Sequence, residues 1–254
     1  FQPRLPGEVP EAVRKGFYIA ETGRPGPVLL DIPKDVQQNE APMDFPDEFT
    51  IQGYHPWNDP DVASVQKAVD MLVNSERPII LAGGGTIISS AFAELQSVAE
   101  TLMIPVVTTF KGKGAFPENH PLSLGPIGMH GHAEANKMMA EADCVLAIGT
   151  RFSDRSVGTF EAFEKRLKII HMDVDPAEIG KNQTTNISVV GDVRASLRIM
   201  VKLLLQKSLK KSEDSVWIKH VRETKEYWKE NLKIHPGEMG AAKILRKLRE
   251  LLPK

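Results

Sequence analysis

Short apolar runs alternate with amphipathic stretches through the middle of the chain. Five runs rich in β-branched residues are too short for ordinary helices and predict strands: "RPIILA" (77–82), "IPVVTTF" (104–110), "CVLAIG" (144–149), "LKIIHMDVD" (167–175) and "ISVVG" (187–191). Between them, apolar residues recur every three to four positions, which predicts helices that bury one face. This alternation predicts an α/β fold, a doubly wound parallel sheet with helices on both faces.

The two ends of the chain have a different pattern. Residues 1–35 predict a helix, a glycine-proline turn and a strand in "PVLLDI" (27–32), whereas residues 36–58 are polar and aperiodic and indicate a linker. Residues 59–206 hold the alternating pattern, and Asp59 before Pro60 predicts its first helix cap. Residues 207–254 predict a helical connector, in which Trp217 and Trp228 share one face as packing anchors.

Composition excludes several classes of protein. Lys and Arg total 32 against 33 for Asp and Glu, so the net charge of −1 argues against a nucleic-acid binder. No apolar run approaches the roughly 20 residues of a membrane span, which predicts no membrane segment. The single cysteine, Cys144, lies in an apolar run and predicts a buried structural thiol.

Three of the predicted strands end in glycine, at Gly83, Gly149 and Gly191. In open α/β sheets ligands bind at the carboxyl edge of the strands, so three glycines there favour a ligand site over ordinary tight turns. The run that starts at Gly83 lets a backbone approach a flat or anionic group, although it lacks the GxGxxG dinucleotide pattern. A second glycine segment, "GMHG" at 128–131, precedes a helix whose free N–H groups can face an anion.

Arginines and aspartates supply the polar candidates. Arg24, Arg151 and Arg155 lie on predicted turns, where their forked donors suit a diphosphate or a surface salt bridge. Asp173 and Asp192 follow strands, where carboxylates suit ribose hydroxyls or an adenine amine, or serve as helix caps. No nucleophile elbow or metal-ligand spacing accompanies them, so the residues predict no catalytic group and no metal site, but a dinucleotide-binding domain.

Several motifs in colinear order then resemble one family over nearly the whole chain: "GRPGPVLLDIPKDV", "RPIILAGGG", "GMHGHAEAN", "AIGTRFSDR", "IIHMDVDPAEIGKN" and "VVGD". They resemble the large catalytic subunits of the acetolactate synthase (acetohydroxyacid synthase) family, which depend on thiamine diphosphate. The family implies decarboxylation of pyruvate and transfer of the two-carbon unit to a second 2-keto acid, in branched-chain amino acid biosynthesis. The alternatives are a pyruvate oxidase, a non-flavin decarboxylase of this fold, or a non-catalytic nucleotide-binding module.

The resemblance implies how this chain relates to the three domains of the family. Residues 1–35 correspond to the end of the pyrimidine-binding domain, 59–206 to the Rossmann-like central domain that binds FAD in a structural role, and the tail to the start of the pyrophosphate-binding domain. Thiamine diphosphate and Mg²⁺ belong to the intact enzyme, because the catalytic glutamate and the metal motif match no part of this sequence. We therefore expect a fragment that is inactive by itself.

The resemblance also implies the site residues. The cofactor-binding positions carried over are Arg24, Gly83, Gly84, Gly85, Thr108, Thr109, Gly128, Met129, His130, Gly149, Thr150, Arg151, Arg155, Asp173, Val174 and Asp192. Lys34 matches a lysine at the mouth of the substrate channel. Ser153 departs from the family, which commonly has two aspartates before the second arginine. The implied partners are further copies of the chain, in a dimer or tetramer, and a small regulatory subunit. The implied location is the cytoplasm, or an organelle in a eukaryote.

Overall fold

A computed structural model describes residues 1–42, 44–54, 56, 59–153, 167–231 and 240–252 of the chain. The strands are β1 Pro78–Ala82, β2 Val106–Thr108, β3 Ser123–Pro126, β4 Cys144–Ile148, β5 Lys168–Asp173 and β6 Ile187–Val190. The helices are α1 Val9–Glu21, α2 Lys34–Gln38, α3 Val62–Val73, α4 Gly84–Ile88, α5 Phe92–Leu102, α6 Ala133–Glu141, α7 Val193–Gln206, α8 Val216–Asn231 and α9 Ala241–Leu251. Short 3₁₀ turns occupy Pro6–Glu8 and Phe110–Gly112.

The described strands form one sheet in the order β3-β2-β1-β4-β5-β6, and every neighbouring pair is parallel. The chain starts in the middle, builds outward through β2 and β3, then returns to the other side of β1. The reversal lies between β1 and β4, which is the topological switch point of a Rossmann-like sheet. The predicted fold class is confirmed, and so is the common direction of the strands that lead to Gly83, Gly149 and Gly191.

The central strands are apolar along their whole length because both faces of the sheet are covered. All five residues of β1 and of β4 are buried. Ile80 and Leu146 are adjacent in the sheet and belong to one core cluster, whereas the preceding pair, Ile79 and Val145, belongs to a second cluster. Successive side chains point to opposite faces, so a strand buried on both faces needs an unbroken apolar run.

Helices α3, α5 and α7 pack in the first cluster and α6 packs in the second, whereas α8 contributes Ile218 to the first and Trp217 and Val221 to the second. Trp217 at the start of α8 is buried, and its indole Nε1 donates to the carbonyl of Pro78 at 2.9 Å. The predicted role of Trp217 as a packing anchor is confirmed. Trp228, three turns later, is only half-buried.

Two sequence predictions were wrong in detail, and two elements were not predicted. The run "PVLLDI" forms no strand, since none of the described strands pairs with it; its backbone bonds to Phe1 at Leu29 and Asp31. The cap of α3 is Asp61, whose carboxylate accepts from two backbone amides, and not Asp59. The sequence also gave no sign of strand β3 or of the short helix α4, which begins inside the glycine run.

Candidate functional site

Most of the predicted site residues lie where the six described strands end. Because the strands are parallel, their carboxyl ends share one edge of the sheet. The positions that end or closely follow a strand are Gly83, Gly84 and Gly85 after β1, Thr108 and Thr109 at β2, Gly128, Met129 and His130 after β3, Gly149, Thr150 and Arg151 after β4, Asp173 and Val174 at β5, and Asp192 after β6. We call this set the carboxyl-edge site.

At the switch point, the loops after β1 and β4 touch through their backbones. The Gly83 amide donates to the carbonyl of Ile148 at 2.8 Å, and the Gly85 amide donates to the carbonyl of Gly149 at 3.0 Å. A Cβ on Gly83 would lie 2.1 Å from the Gly149 oxygen, and one on Gly149 would lie 2.5 Å from the Gly85 Cα. The close contact between the two backbones therefore explains why these positions are glycine. This contact lies at the centre of the carboxyl-edge site.

The exit of β2 is fixed by a hydroxyl. Thr108 and Thr109 are both buried, and the Thr109 Oγ1 accepts from the amide of Gly112 at 3.1 Å. Gly112 in turn approaches β1 so closely that an added Cβ would lie 2.1 Å from the Ala82 oxygen. The two threonines thus lie beside the glycine loops of the switch point.

The loop after β3 is held by helix α6. Gly128 has a φ of +104°, and the side-chain amide of Asn136 both accepts from the Gly128 amide at 2.9 Å and donates to the Gly128 carbonyl at 3.0 Å. Met129 is 84% exposed and His130 is exposed as well. The base of the loop is thus held by hydrogen bonds, and the loop presents two exposed side chains.

The loop after β4 carries Arg151, whose side chain is exposed. Its backbone is held from the neighbouring strand, because His171 Nε2 donates to the carbonyl of Thr150 at 2.8 Å. Asn182 Nδ2 donates to the carbonyl of Arg151 at 2.7 Å. Neither of these two hydrogen bonds was predicted from the sequence. Burial lowers the pKa of the His171 imidazole.

The carboxylates at the edge divide into two kinds. Asp192 caps helix α7, because its carboxylate accepts from the amide of Ala195 at 2.8 Å. Of the two roles that the sequence left open for Asp192, the structure thus shows the helix cap. Asp173 is buried, its Oδ1 accepts from the amide of Asp175 at 2.9 Å, and burial raises the pKa of the Asp173 carboxyl. Its Oδ2 has no hydrogen-bond partner among the described residues, so a ligand hydroxyl or amine can use it. Val174 beside it is half-buried.

Arg24 is brought to the end of β5 from far along the chain. Its Nη1 lies 2.9 Å from Asp175 Oδ2 and 2.7 Å from Glu178 Oε1. These hydrogen bonds raise the pKa of the Arg24 guanidinium. The salt-bridge alternative therefore holds for Nη1, while Nη2 and Nε have no partner within the described ranges.

Two further predicted residues remain. Arg155 falls in the segment 154–166, outside the described residues. Lys34 is the first residue of α2 and is exposed.

Reactive groups are few in the part of the chain that the structure describes. No group of three or more His, Cys, Asp or Glu residues is placed to hold a metal ion there. Cys144 is buried in β4, and burial raises the pKa of its thiol, so it is a structural residue as predicted. Among the described helices, none has both the length and the apolar character needed to cross a membrane.

The six-stranded parallel sheet with helices on both faces defines a Rossmann-like α/β domain. The carboxyl edge offers buried hydroxyls, an exposed guanidinium and a desolvated carboxylate around a switch point, which is where such sheets bind ligands. The family model for the thiamine pyrophosphate enzyme central domain matches residues 65–200. The chain belongs to this family.

Three curated relatives of the chain carry the name acetolactate synthase large subunit, two of them as probable. The chain is 47% identical over 228 residues to a probable acetolactate synthase large subunit of Methanocaldococcus jannaschii, covering 89% of this chain and 38% of that protein. It is 44% identical to the corresponding protein of Methanococcus aeolicus, covering 89% of this chain and 39% of the relative. It is also 37% identical to the acetolactate synthase large subunit of Corynebacterium glutamicum, covering 96% and 39%. The chain thus spans about two fifths of the length of these relatives.

Proposed function

We propose that this chain is the FAD-binding central portion of an acetolactate synthase large subunit. The whole protein would decarboxylate pyruvate and join the two-carbon unit to a second 2-keto acid, with thiamine diphosphate and Mg²⁺. The observation that carries the cofactor proposal is that all six described strands end at one edge of the sheet, where most of the candidate residues lie. The names of the relatives support the reaction.

The division of the chain follows from the same proposal. Residues 1–35 would complete a pyrimidine-binding domain, 36–58 would link it to the central domain of 59–206, and 207–254 would lead into a pyrophosphate-binding domain. In this arrangement Lys34, exposed at the start of α2, would line the entrance to the substrate. The assembled enzyme would be a cytoplasmic or organellar homo-oligomer, with a small regulatory subunit as a further partner.

The chemistry of the site suits FAD part by part. Asp173 Oδ2 accepts no hydrogen bond from the described residues, and a ribose hydroxyl or adenine amine would donate to it. Arg151 is exposed, and among the described residues both ion pairs of Arg24 use Nη1, which leaves its Nη2 and Nε to donate to a diphosphate. A guanidinium binds two phosphate oxygens at once, which a point charge does not. When bound, the flavin would act structurally and supply no step of the reaction.

A titration of flavin fluorescence tests this proposal on the 254-residue chain. A charge-assisted hydrogen bond contributes about 1.5–3 kcal/mol, so Arg151→Ala should weaken FAD binding roughly ten- to a hundredfold. Arg151→Lys should recover only part of the loss, because lysine lacks the planar fork. Arg77→Ala is the matched control, since Arg77 is exposed just before β1, at the opposite edge of the sheet. Equal affinities for all four proteins would refute the placement of the diphosphate.

A further inference from the structure

The loop after β4 has an unusual backbone for a segment that carries a candidate ligand. Gly149 has a φ of +55° and Phe152 a φ of +47°, so two residues of this short loop lie in the left-handed region. Phenylalanine pays a steric penalty there that glycine does not. Such a conformation persists only where the surrounding structure holds it, and it concentrates at functional sites.

The first element that holds the loop is His171, on the neighbouring strand β5. A carbonyl oxygen only accepts, so the 2.8 Å contact with Thr150 O requires the hydrogen on Nε2. The same ring meets Phe152 edge-on, with centroids 5.1 Å apart, and both side chains are buried. His171 Nδ1 is buried and has no partner among the described residues, so the neutral ring is the form that fits. One side chain therefore fixes the residues on both sides of Arg151.

The second element is Asn182, in the segment between β5 and β6. Its Nδ2 donates to the carbonyl of Arg151 itself at 2.7 Å. The carbonyls of Thr150 and Arg151, which flank the Arg151 Cα, are thus both held by side chains outside the loop. The Arg151 guanidinium itself makes no hydrogen bond within the described part of the chain, so its position depends on this backbone.

We infer that His171 and Asn182 are positioning residues that fix the Arg151 loop in its left-handed conformation and so present the guanidinium to an anionic cofactor. The inference rests on the proposed FAD-binding function for its ligand, but not for the ordering of the loop. Preorganised donors bind more tightly because less conformational freedom is lost on binding. The two residues would therefore act on affinity without touching the cofactor.

The experiment measures two properties of the full 254-residue chain and its variants. The first is hydrogen exchange of backbone amides in residues 150–153, and the second is FAD affinity by fluorescence titration. His171→Leu and Asn182→Ala remove the donors, whereas His171→Gln keeps an amide that can reach the Thr150 carbonyl. Ile170→Ala is the control for lost stability, since Ile170 is buried on the same strand but in the cluster on the opposite face.

We expect His171→Leu to speed exchange in 150–153 and to weaken FAD binding by a factor of about three to ten, the value of one hydrogen bond. Asn182→Ala should act in the same direction but less strongly, because its bond is exposed to water. His171→Gln should recover most of both effects. Ile170→Ala should change neither of them locally, although it lowers the melting temperature.

Each outcome decides the inference. Unchanged exchange in His171→Leu and Asn182→Ala would overturn it, and so would faster exchange with unchanged FAD affinity, since the two residues would then be purely structural. Failure of His171→Gln to restore affinity would also count against it. If the wild-type chain binds no FAD, the proposed function fails, and hydrogen exchange alone decides whether the two residues hold the loop.

Discussion

Replacing Gly83 by alanine tests the backbone contact at the centre of the molecule. Gly83 has φ −99° and ψ −175°, an extended conformation that alanine adopts freely. Any loss of stability therefore reports on space and not on backbone freedom. The added Cβ would lie 2.1 Å from the Gly149 oxygen and 2.8 Å from the Thr150 Cα. Both are backbone atoms, so no side-chain rotation can relieve the overlap.

The expected cost follows from what must move. Separating the two loops breaks the hydrogen bonds from Gly83 to Ile148 and from Gly85 to Gly149, at about 1 kcal/mol each. Overpacking a close contact adds about 1–3 kcal/mol. Gly83→Ala should therefore lower the free energy of unfolding by roughly 3–5 kcal/mol, a large part of the 5–15 kcal/mol typical of a domain.

The adjacent glycine provides a matched control. A Cβ on Gly84 would lie 3.3 Å from the Lys111 Cβ, a tight contact that a shift of a few tenths of an ångström relieves, whereas the contact at Gly83 is 2.1 Å. Gly84→Ala should thus change the free energy of unfolding by less than about 1 kcal/mol. Urea denaturation of both variants measures the difference. If Gly83→Ala is as stable as Gly84→Ala, the close contact between the two loops is wrong.

Three further changes test individual contacts. Asp61→Ala should cost about 1 kcal/mol of stability by removing the cap of α3, whereas Asp59→Ala should cost almost nothing; the reverse order in urea denaturation would restore Asp59 as the cap. Trp217→Phe should cost about 1–3 kcal/mol, because the buried carbonyl of Pro78 loses its indole donor, and an unchanged urea midpoint would contradict this. Burial raises the pKa of the Asp173 carboxyl, so the free energy of unfolding falls as the pH rises through the folded pKa. Asp173→Asn should therefore stabilise the chain at pH 7, and this gain should disappear on acidification. A gain in stability that does not depend on pH would refute this expectation.

The sequence predicted the parts of the fold that burial dictates. Strands β1 and β4 are covered on both faces, and their unbroken apolar runs follow directly from that environment. Strand β3 escaped notice because "SLGP" contains one large apolar residue and lies at the edge of the sheet, with an irregular register against β2. The strand predicted in "PVLLDI" is the opposite error. A strand also needs a neighbouring strand to pair with, and the pattern of one segment does not show whether that neighbour exists.

In the carboxyl-edge site, too, local constraints on residue type were predictable from the sequence, whereas contacts between distant segments were not. Glycines at strand ends indicated the switch point, because close backbone contact constrains the residue type directly. The tethers at His171 and Asn182 depend on which segments meet in the folded chain, and their residue types alone give no signal. Likewise, nothing local to Arg24 shows that it pairs with two carboxylates more than 100 residues away in the sequence.

A crystal structure of the chain grown with FAD tests the central claim most directly. We predict the diphosphate against the loop of Gly149 and Arg151, with the adenosine near the free oxygen of Asp173 and the flavin toward Gly128 and Met129. The glycine contact between the loops after β1 and β4 should remain closed beneath the cofactor. FAD bound away from the carboxyl ends of the strands, or its absence at saturating concentration, would contradict the account.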